Sequence, residues 1–106
     1  MGIKVFRLSG GDLSSRESGK IERQKIEAFV RDGTAKVSYD LSNVDSMAES
    51  FADELFGVLV LRYGIKRVLS CIDLHGACDH VLLCVARVMQ RRNESIKVDG
   101  GLKRQK

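Results

Sequence analysis

The stretch "DLSNVDSMAESFADELFG", Asp40 to Gly57, decides the fold of this chain. It continues from "AKVSYDL" (35–41), where apolar and polar positions alternate as in a half-buried strand. The segment "SMAE" (46–49) has the pattern of a capping box, so we expect Ser46 to begin a helix. One face of that helix is apolar, and Gly64 after Tyr63 is a natural residue for its end. The stretch therefore predicts a strand, a polar turn and an amphipathic helix.

The same alternation of strand and helix continues on both sides of this unit. Towards the N-terminus, "IKVFRL" (3–8) reads as a strand, and "SSRE" (14–17) is a second capping box that opens a helix ending at Asp32-Gly33. Towards the C-terminus, "RVLSCIDL" (67–74) predicts a strand buried on both faces, residues 80–92 predict a helix, and "SIKV" (95–98) predicts a short edge strand. The pattern predicts an α/β fold, with a mainly parallel or mixed sheet of about four strands and three helices.

The basic charge of the chain lies at its C-terminal end. The 106 residues are enough for one domain with its own core, and their formal net charge is +4. Residues 91–106, "RRNESIKVDGGLKRQK", hold six Lys/Arg and two Asp/Glu, so the remaining ninety residues are neutral overall. We expect a folded domain over 1–98 and a basic, disordered tail over 99–106. Contact with nucleic acid through Lys103, Arg104 and Lys106 of that tail is the alternative function.

The sequence also favours a cytoplasmic location without contact to a membrane. The longest apolar run, "VLVL" (58–61), is far shorter than the roughly 20 residues that span a bilayer. The N-terminus has no signal-peptide pattern, and three cysteines are an odd number without the spacing of a disulfide framework. A reducing compartment is therefore expected.

The segment "VSYDLSNVDSMAESFADELFGVL" resembles the STAS-like family of unknown function, in which an apolar strand ends in Asp and a "SFADE" helix follows. The segment "SSRESGKIERQKI" is similar to the start of that family's first helix, and the resemblance extends over about residues 13–92. Its distant relatives are STAS domains, the anti-sigma-factor antagonists, which carry a serine that a partner kinase phosphorylates. The resemblance implies a non-enzymatic signalling or regulatory module that binds a protein partner, such as a histidine-kinase-like ATPase.

The resemblance also implies one candidate phospho-acceptor. Alignment with the STAS turn "D-S-S-G-L" brings Ser50 onto the phosphorylated serine, while Ala48, Glu49 and Phe51 replace its neighbours. Only the serine is shared. An alternative is that Ser50 is an ordinary helix residue, whose hydroxyl bonds back to the Ser46 carbonyl.

Polar residues around this helix start are the expected contacts with the partner, namely Asp45, Ser46, Glu49 and Asp53. Arg16 in the "SSRE" turn is a candidate anion contact, because its charge would add to free backbone N–H groups at a helix start. It could equally pair with Asp12.

No metal, cofactor or catalytic set is predicted. The acidic residues Asp40, Asp45 and Glu49 could bind Mg²⁺ at the end of a strand, or serve only as turn and capping residues. The segment "CIDLHGACDHVLLC" (71–84) has zinc-binding residue types but no C-x2-C pair, and we expect Cys78 and His80 to point apart. Neither a nucleotide motif nor a convincing nucleophile–base pair is present, so an enzyme is not expected.

Overall fold

The computed structural model describes residues 2–8 and 13–104, with side chains described up to residue 96. In chain order the elements are β1 (Gly2–Arg7), α1 (Arg16–Asp32), β2 (Ala35–Asp40), α2 (Glu49–Ala52), a π-helical segment (Asp53–Gly57), α3 (Val58–Tyr63), α4 (Ile65–Cys71), β3 (Ile72–His75) and α5 (Asp79–Arg104). Because α2, the π-helical segment and α3 follow one another without a break, the described chain has three strands and four helical units.

The three strands form a parallel sheet in the order β1-β2-β3. Two expectations are corrected here. Residues 65–71 form α4 and leave only Ile72–His75 as the third strand, and the predicted edge strand over 95–98 lies within α5. In α4, Val68 and Cys71 are buried three positions apart while Leu69 is 60% exposed, which is the periodicity of a helix. No Gly or Pro between 80 and 99 stops α5 before it reaches residue 95.

The core lies on one face of the sheet, beneath the helices. Tyr39 is fully buried at its centre, with ring centroids 5.8 Å from Phe6 and 6.1 Å from Phe56. Burial raises the pKa of the Tyr39 hydroxyl, which donates to the carboxylate of Glu22 at 2.9 Å. The opposite face of the sheet is open over β1, where Ile3 is 69% exposed.

The two predicted capping boxes differ from the observed helix starts. Ser15, not Ser14, caps α1, and its hydroxyl oxygen accepts from the Ser18 N–H at 3.1 Å. The next helix begins at Glu49, and Ala48 at its N-cap makes no side-chain bond. The Ala48 N–H donates to the Leu13 carbonyl at 3.1 Å, so the start of this helix is bonded to the loop before α1.

The C-terminal end of the chain is helical as far as the structure describes it. Helix α5 continues to Arg104 and includes the predicted edge strand, while residues 105 and 106 lie outside the described residues. The boundary at residue 98 and a disordered tail therefore stay predictions. Within residues 2–8 and 13–104, no helix is long and apolar enough to cross a membrane.

Candidate functional site

The candidate site begins with the loop that leaves the carboxyl end of β2. Asp40 ends the strand, and its carboxylate accepts from the N–H of Ser42 at 2.9 Å and from the Ser42 hydroxyl at 2.6 Å. These bonds, with a further one from Arg7 at 3.1 Å, hold the pKa of Asp40 below its usual value. The Leu41 N–H donates to the His75 carbonyl of β3 at 2.8 Å. The start of the loop is thus tied to both neighbouring strands.

The rest of the loop is anchored by two buried apolar side chains and by α5. Val44 is 3% exposed and Met47 8% exposed. The Cys84 thiol donates to the Met47 carbonyl at 3.5 Å, and the His80 ring bonds to the Asp45 carbonyl. These contacts leave the loop few alternative conformations.

Cys78 and His80 lie close together, contrary to the expectation that they would point apart. The Cys78 sulfur is 3.8 Å from Nε2 of His80 and 3.7 Å from the Asp45 carbonyl. Both side chains therefore point back to the loop, because α5 starts directly beneath it.

Four of the expected site residues form one surface, which we call the loop–α2 surface: Asp45, Ser46, Glu49 and Ser50. Asp45 and Ser46 are exposed, and the side chain of Glu49 is 48% exposed. Arg91 of α5 donates to the Glu49 carboxylate at 2.7 Å and holds the pKa of Glu49 below its usual value. This surface therefore combines two hydroxyls, one carboxylate that is shared with α5, and the Asp45 carboxylate, which forms no ion pair with any described residue.

Ser50 is the second residue of α2 and is partly exposed. Its hydroxyl donates to the Ser14 carbonyl at 2.8 Å, and not to the Ser46 carbonyl as the helical alternative required. Ser50 thus ties the start of α2 to the loop before α1. The Ser50 hydroxyl lies between the start of α1 and the start of α2.

Asp53, the fourth expected partner contact, lies inside the molecule. It is 5% exposed, and its carboxylate accepts two bonds from Arg92, at 2.9 and 2.7 Å, and one from Arg16 at 3.1 Å. Arg92 and then Arg16 hold its pKa below the usual value against the effect of burial. Gly57 makes room for this group, since a Cβ there would stand 2.3 Å from the Asp53 oxygen Oδ1. Asp53 joins α1 and α5 to the π-helical segment and does not belong to an exposed surface.

Arg16 is accordingly an anion contact within the chain. Its guanidinium donates to Asp53 and, at 3.5 Å, to Glu54, while 57% of the side chain stays exposed. The suggested partner Asp12 lies outside the described residues.

A second buried ion pair lies beside the first. Arg23 is 3% exposed and donates to Glu54, to the carboxylate at 2.6 Å and to the backbone carbonyl at 2.7 Å. Among the described residues, the Arg23 Nε has no hydrogen-bond partner, although the Glu27 carboxylate lies 3.5 Å away. Sequence reasoning missed this role, but a signal was present. Arg23 occupies the same stripe of α1 as the buried residues Gly19, Ile26 and Val30.

The described residues contain no group of three or more His, Cys, Asp and Glu side chains that could hold a metal ion. Asp40 and Glu49, two of the three suggested magnesium ligands, each pair with an arginine. The side chains of Lys103, Arg104 and Lys106 lie outside the part that the structure describes, so their contact with nucleic acid stays a prediction.

Comparison with known protein families identifies the family of this chain. The family model of the STAS-like domain of unknown function matches residues 19–77, more than half of the chain. The chain belongs to this family, and the expected resemblance is confirmed over that range. The match begins within α1 and ends just after β3, so it contains the loop–α2 surface, the pair of Arg23 with Glu54, and Asp53. The two arginines that pair with Asp53, Arg16 and Arg92, lie outside the matched range. No curated protein and no solved structure matches the chain.

Proposed function

We propose that the protein is a non-enzymatic regulatory module that binds a protein partner through the loop–α2 surface. One observation carries the proposal. The loop between β2 and α2 exposes Asp45 and Ser46 between the buried residues Val44 and Met47, and α5 holds its carbonyls from below. A loop that is already ordered loses little conformational entropy when a partner binds. A partner that offers hydrogen-bond donors and positive charge fits this surface.

The kind of partner is suggested by the family. STAS-like domains resemble the antagonists that bind kinases of the anti-sigma type, so an ATPase related to histidine kinases is the partner we propose. Such a partner would contact Asp45, Ser46 and Glu49, and would have Ser50 within its reach.

Phosphorylation of Ser50 would then weaken the complex. The phosphoryl group replaces the hydroxyl proton, so the bond to the Ser14 carbonyl is lost. The new negative charge would be stabilised by its position at the start of α2. Asp53 and Glu54 oppose it little, because arginines already neutralise both. The partner would have to desolvate this doubly charged group to keep its contact.

The experiment is a capture from lysate of the native host with the purified protein as bait, with and without ATP, quantified by mass spectrometry. Three further baits carry Ser46→Arg, Ser50→Glu, or Lys66→Glu, an exposed control residue on α4. We expect an ATPase that the wild type and the Lys66→Glu control capture equally, and that both loop–α2 variants lose.

Equal capture by the Ser46→Arg bait would refute the loop–α2 surface as the binding site. Equal capture by the Ser50→Glu bait, with loss by Ser46→Arg, would refute only the phosphorylation switch. Phosphopeptide mapping of the recovered bait tests Ser50 directly, because the ATP-treated sample should carry one phosphoryl group at this residue.

A further inference from the structure

The outer edge of β1 has backbone groups that nothing in the described chain pairs. β1 lies at the end of the sheet and pairs on one side only, with β2. The Leu8 N–H donates to the Asp40 carbonyl of β2. This bond fixes which residues of β1 direct their backbone groups towards β2 and which direct them outward. Phe6 and Lys4 therefore direct their N–H and C=O groups towards β2, and Ile3, Val5 and Arg7 direct theirs outward. Six polar backbone groups thus lie along one free edge.

The side chains of the same strand are unusual for a free edge. Ile3 and Val5 are 69% and 72% exposed and lie together on the open face of the sheet. Natural proteins protect such edges with proline, a bulge, a very short strand, charged side chains or a covering loop. β1 has six residues, no proline, and continuous pairing from Gly2 to Arg7 without a bulge. Its charged residues are Lys4, which lies on the opposite face from Ile3 and Val5, and Arg7, whose charge is paired with Asp40. This edge has the features of a strand that pairs with another strand.

We propose that β1 pairs antiparallel with β1 of a second copy of this chain, with Val5 opposite Val5 at the two-fold axis. The two outward-directed Val5 residues then form a hydrogen-bonded pair, and Ile3 forms such a pair with Arg7 of the second copy. All six free groups of each copy are satisfied. The two sheets become one six-stranded sheet, and the interface is closed because it uses the same edge twice.

Charge selects this register over the one shifted by two residues so that the two-fold axis lies at residue 4. That shift would place Lys4 opposite Lys4 of the second copy, in a pair whose side chains are close together. In the proposed register, Lys4 instead lies opposite Phe6 of the second copy. The side chains of β1 on the open face bring no unpaired charge to this edge, because Arg7 pairs with Asp40 at 3.1 Å. The apolar side chains at positions 3 and 5 of both copies then form one strip across the axis.

The first test is the molar mass of the purified full chain by light scattering after size exclusion, over about 5 to 200 µM, for the wild type, Val5→Pro and Val5→Thr. Proline at position 5 removes an outward N–H and leaves the pairing with β2 intact, while threonine keeps the N–H. We expect dimers for the wild type and Val5→Thr, and a dissociation constant at least about tenfold higher for Val5→Pro. Far-UV circular dichroism checks that every variant is folded.

Disulfide trapping tests the register separately, in a Cys78→Ser background that removes the exposed native thiol. Cysteines at position 5 of the two copies would have Cα atoms about 5.5 Å apart, within disulfide range. Cysteines at position 3 would lie about 14 Å apart, out of range. We expect Val5→Cys, and not Ile3→Cys, to yield a covalent dimer on mild oxidation. A monomeric wild type at 200 µM, a Val5→Pro dimer as tight as the wild type, or equal trapping at both positions would overturn the proposal.

Discussion

Replacement of Asp53 by asparagine should destabilise the fold far more than loss of an exposed carboxylate. Asp53 is 5% exposed and accepts three bonds from Arg92 and Arg16. Removing one partner of a fully buried ion pair costs about 3 to 5 kcal/mol. Here the arginine side chains are 30% and 57% exposed and can return to water, so we expect a loss of about 2 kcal/mol. The amide keeps the shape of the group above Gly57, so the change tests the charge and not the packing.

The assay is equilibrium unfolding in urea at about pH 7, followed by far-UV circular dichroism, with Asp73→Asn as the matched control. Asp73 forms an ion pair with Lys36 in which both side chains are nearly half exposed, so its loss should cost less than about 0.5 kcal/mol. If Asp53→Asn and Asp73→Asn lower the unfolding free energy equally, the buried carboxylate does not stabilise the fold as we infer.

The same pair of proteins gives a pH dependence with a definite sign. The pKa of Asp53 is lower in the folded chain than its ordinary value of 3.8, because Arg92 and Arg16 favour the charged form. The contribution of the carboxylate is therefore complete above pH 3.8 and is lost as the pH falls through the folded pKa. The difference in unfolding free energy between wild type and Asp53→Asn should be constant from about pH 7 to 5 and should shrink as the pH falls below 3.8. A difference that grows on acidification would contradict the assignment.

Two further predictions follow from the structure, and a third from the basic charge of residues 99–106. Gly57→Ala should lower the unfolding free energy by about 2 kcal/mol, although alanine is the better helix former. Gly2→Ala is the control, because a Cβ at Gly2 meets nothing within 4 Å, and it should change the unfolding free energy by less than about 0.5 kcal/mol. Urea unfolding compares the two variants. Ser50→Ala should lower the unfolding free energy by about 1 kcal/mol, because the hydrogen bond to the Ser14 carbonyl is lost. Ser95 is an exposed serine of α5, and an equal loss for Ser95→Ala would show that the Ser50 hydrogen bond contributes nothing. If the tail binds nucleic acid, fluorescence anisotropy with a labelled duplex should give an affinity that falls steeply with salt and disappears on deletion of residues 99–106; salt-insensitive binding would exclude this role.

The sequence predicts an element correctly where its hydrophobic pattern is local and long, and it is ambiguous where the apolar run is short. Helix α1 and strand β2 follow from periodicity and from Gly33, whose φ of 65° ends the helix as expected. The run "RVLSCIDL" could not be divided, because short apolar runs suit a buried strand and a buried helix equally. The start of α2 at Glu49 depends on the carbonyl of Leu13, which is 35 positions earlier than Ala48. Contacts between residues so far apart in the chain leave no pattern in the local sequence.

The candidate site was predictable to the same extent. Asp45, Ser46, Glu49 and Ser50 lie together because they are neighbours in the chain. The role of Asp53 could not be read from its neighbours, since its arginine partners lie 37 and 39 positions away. An acid within "SFADELFG" looks like an exposed helix residue until the fold brings the two arginines to it.

The π-helical segment also determines how chain length can vary in this family. Each residue added to or removed from a helix turns everything after it by about 100°. Without one of the residues 53–57, Leu59 and Val60, which are fully buried, would rotate away from the core while the acids before them stayed in place. Alignments of related chains should therefore hold residues 53–57 as a block of fixed length, and insertions or deletions should be placed in the loop between β2 and α2.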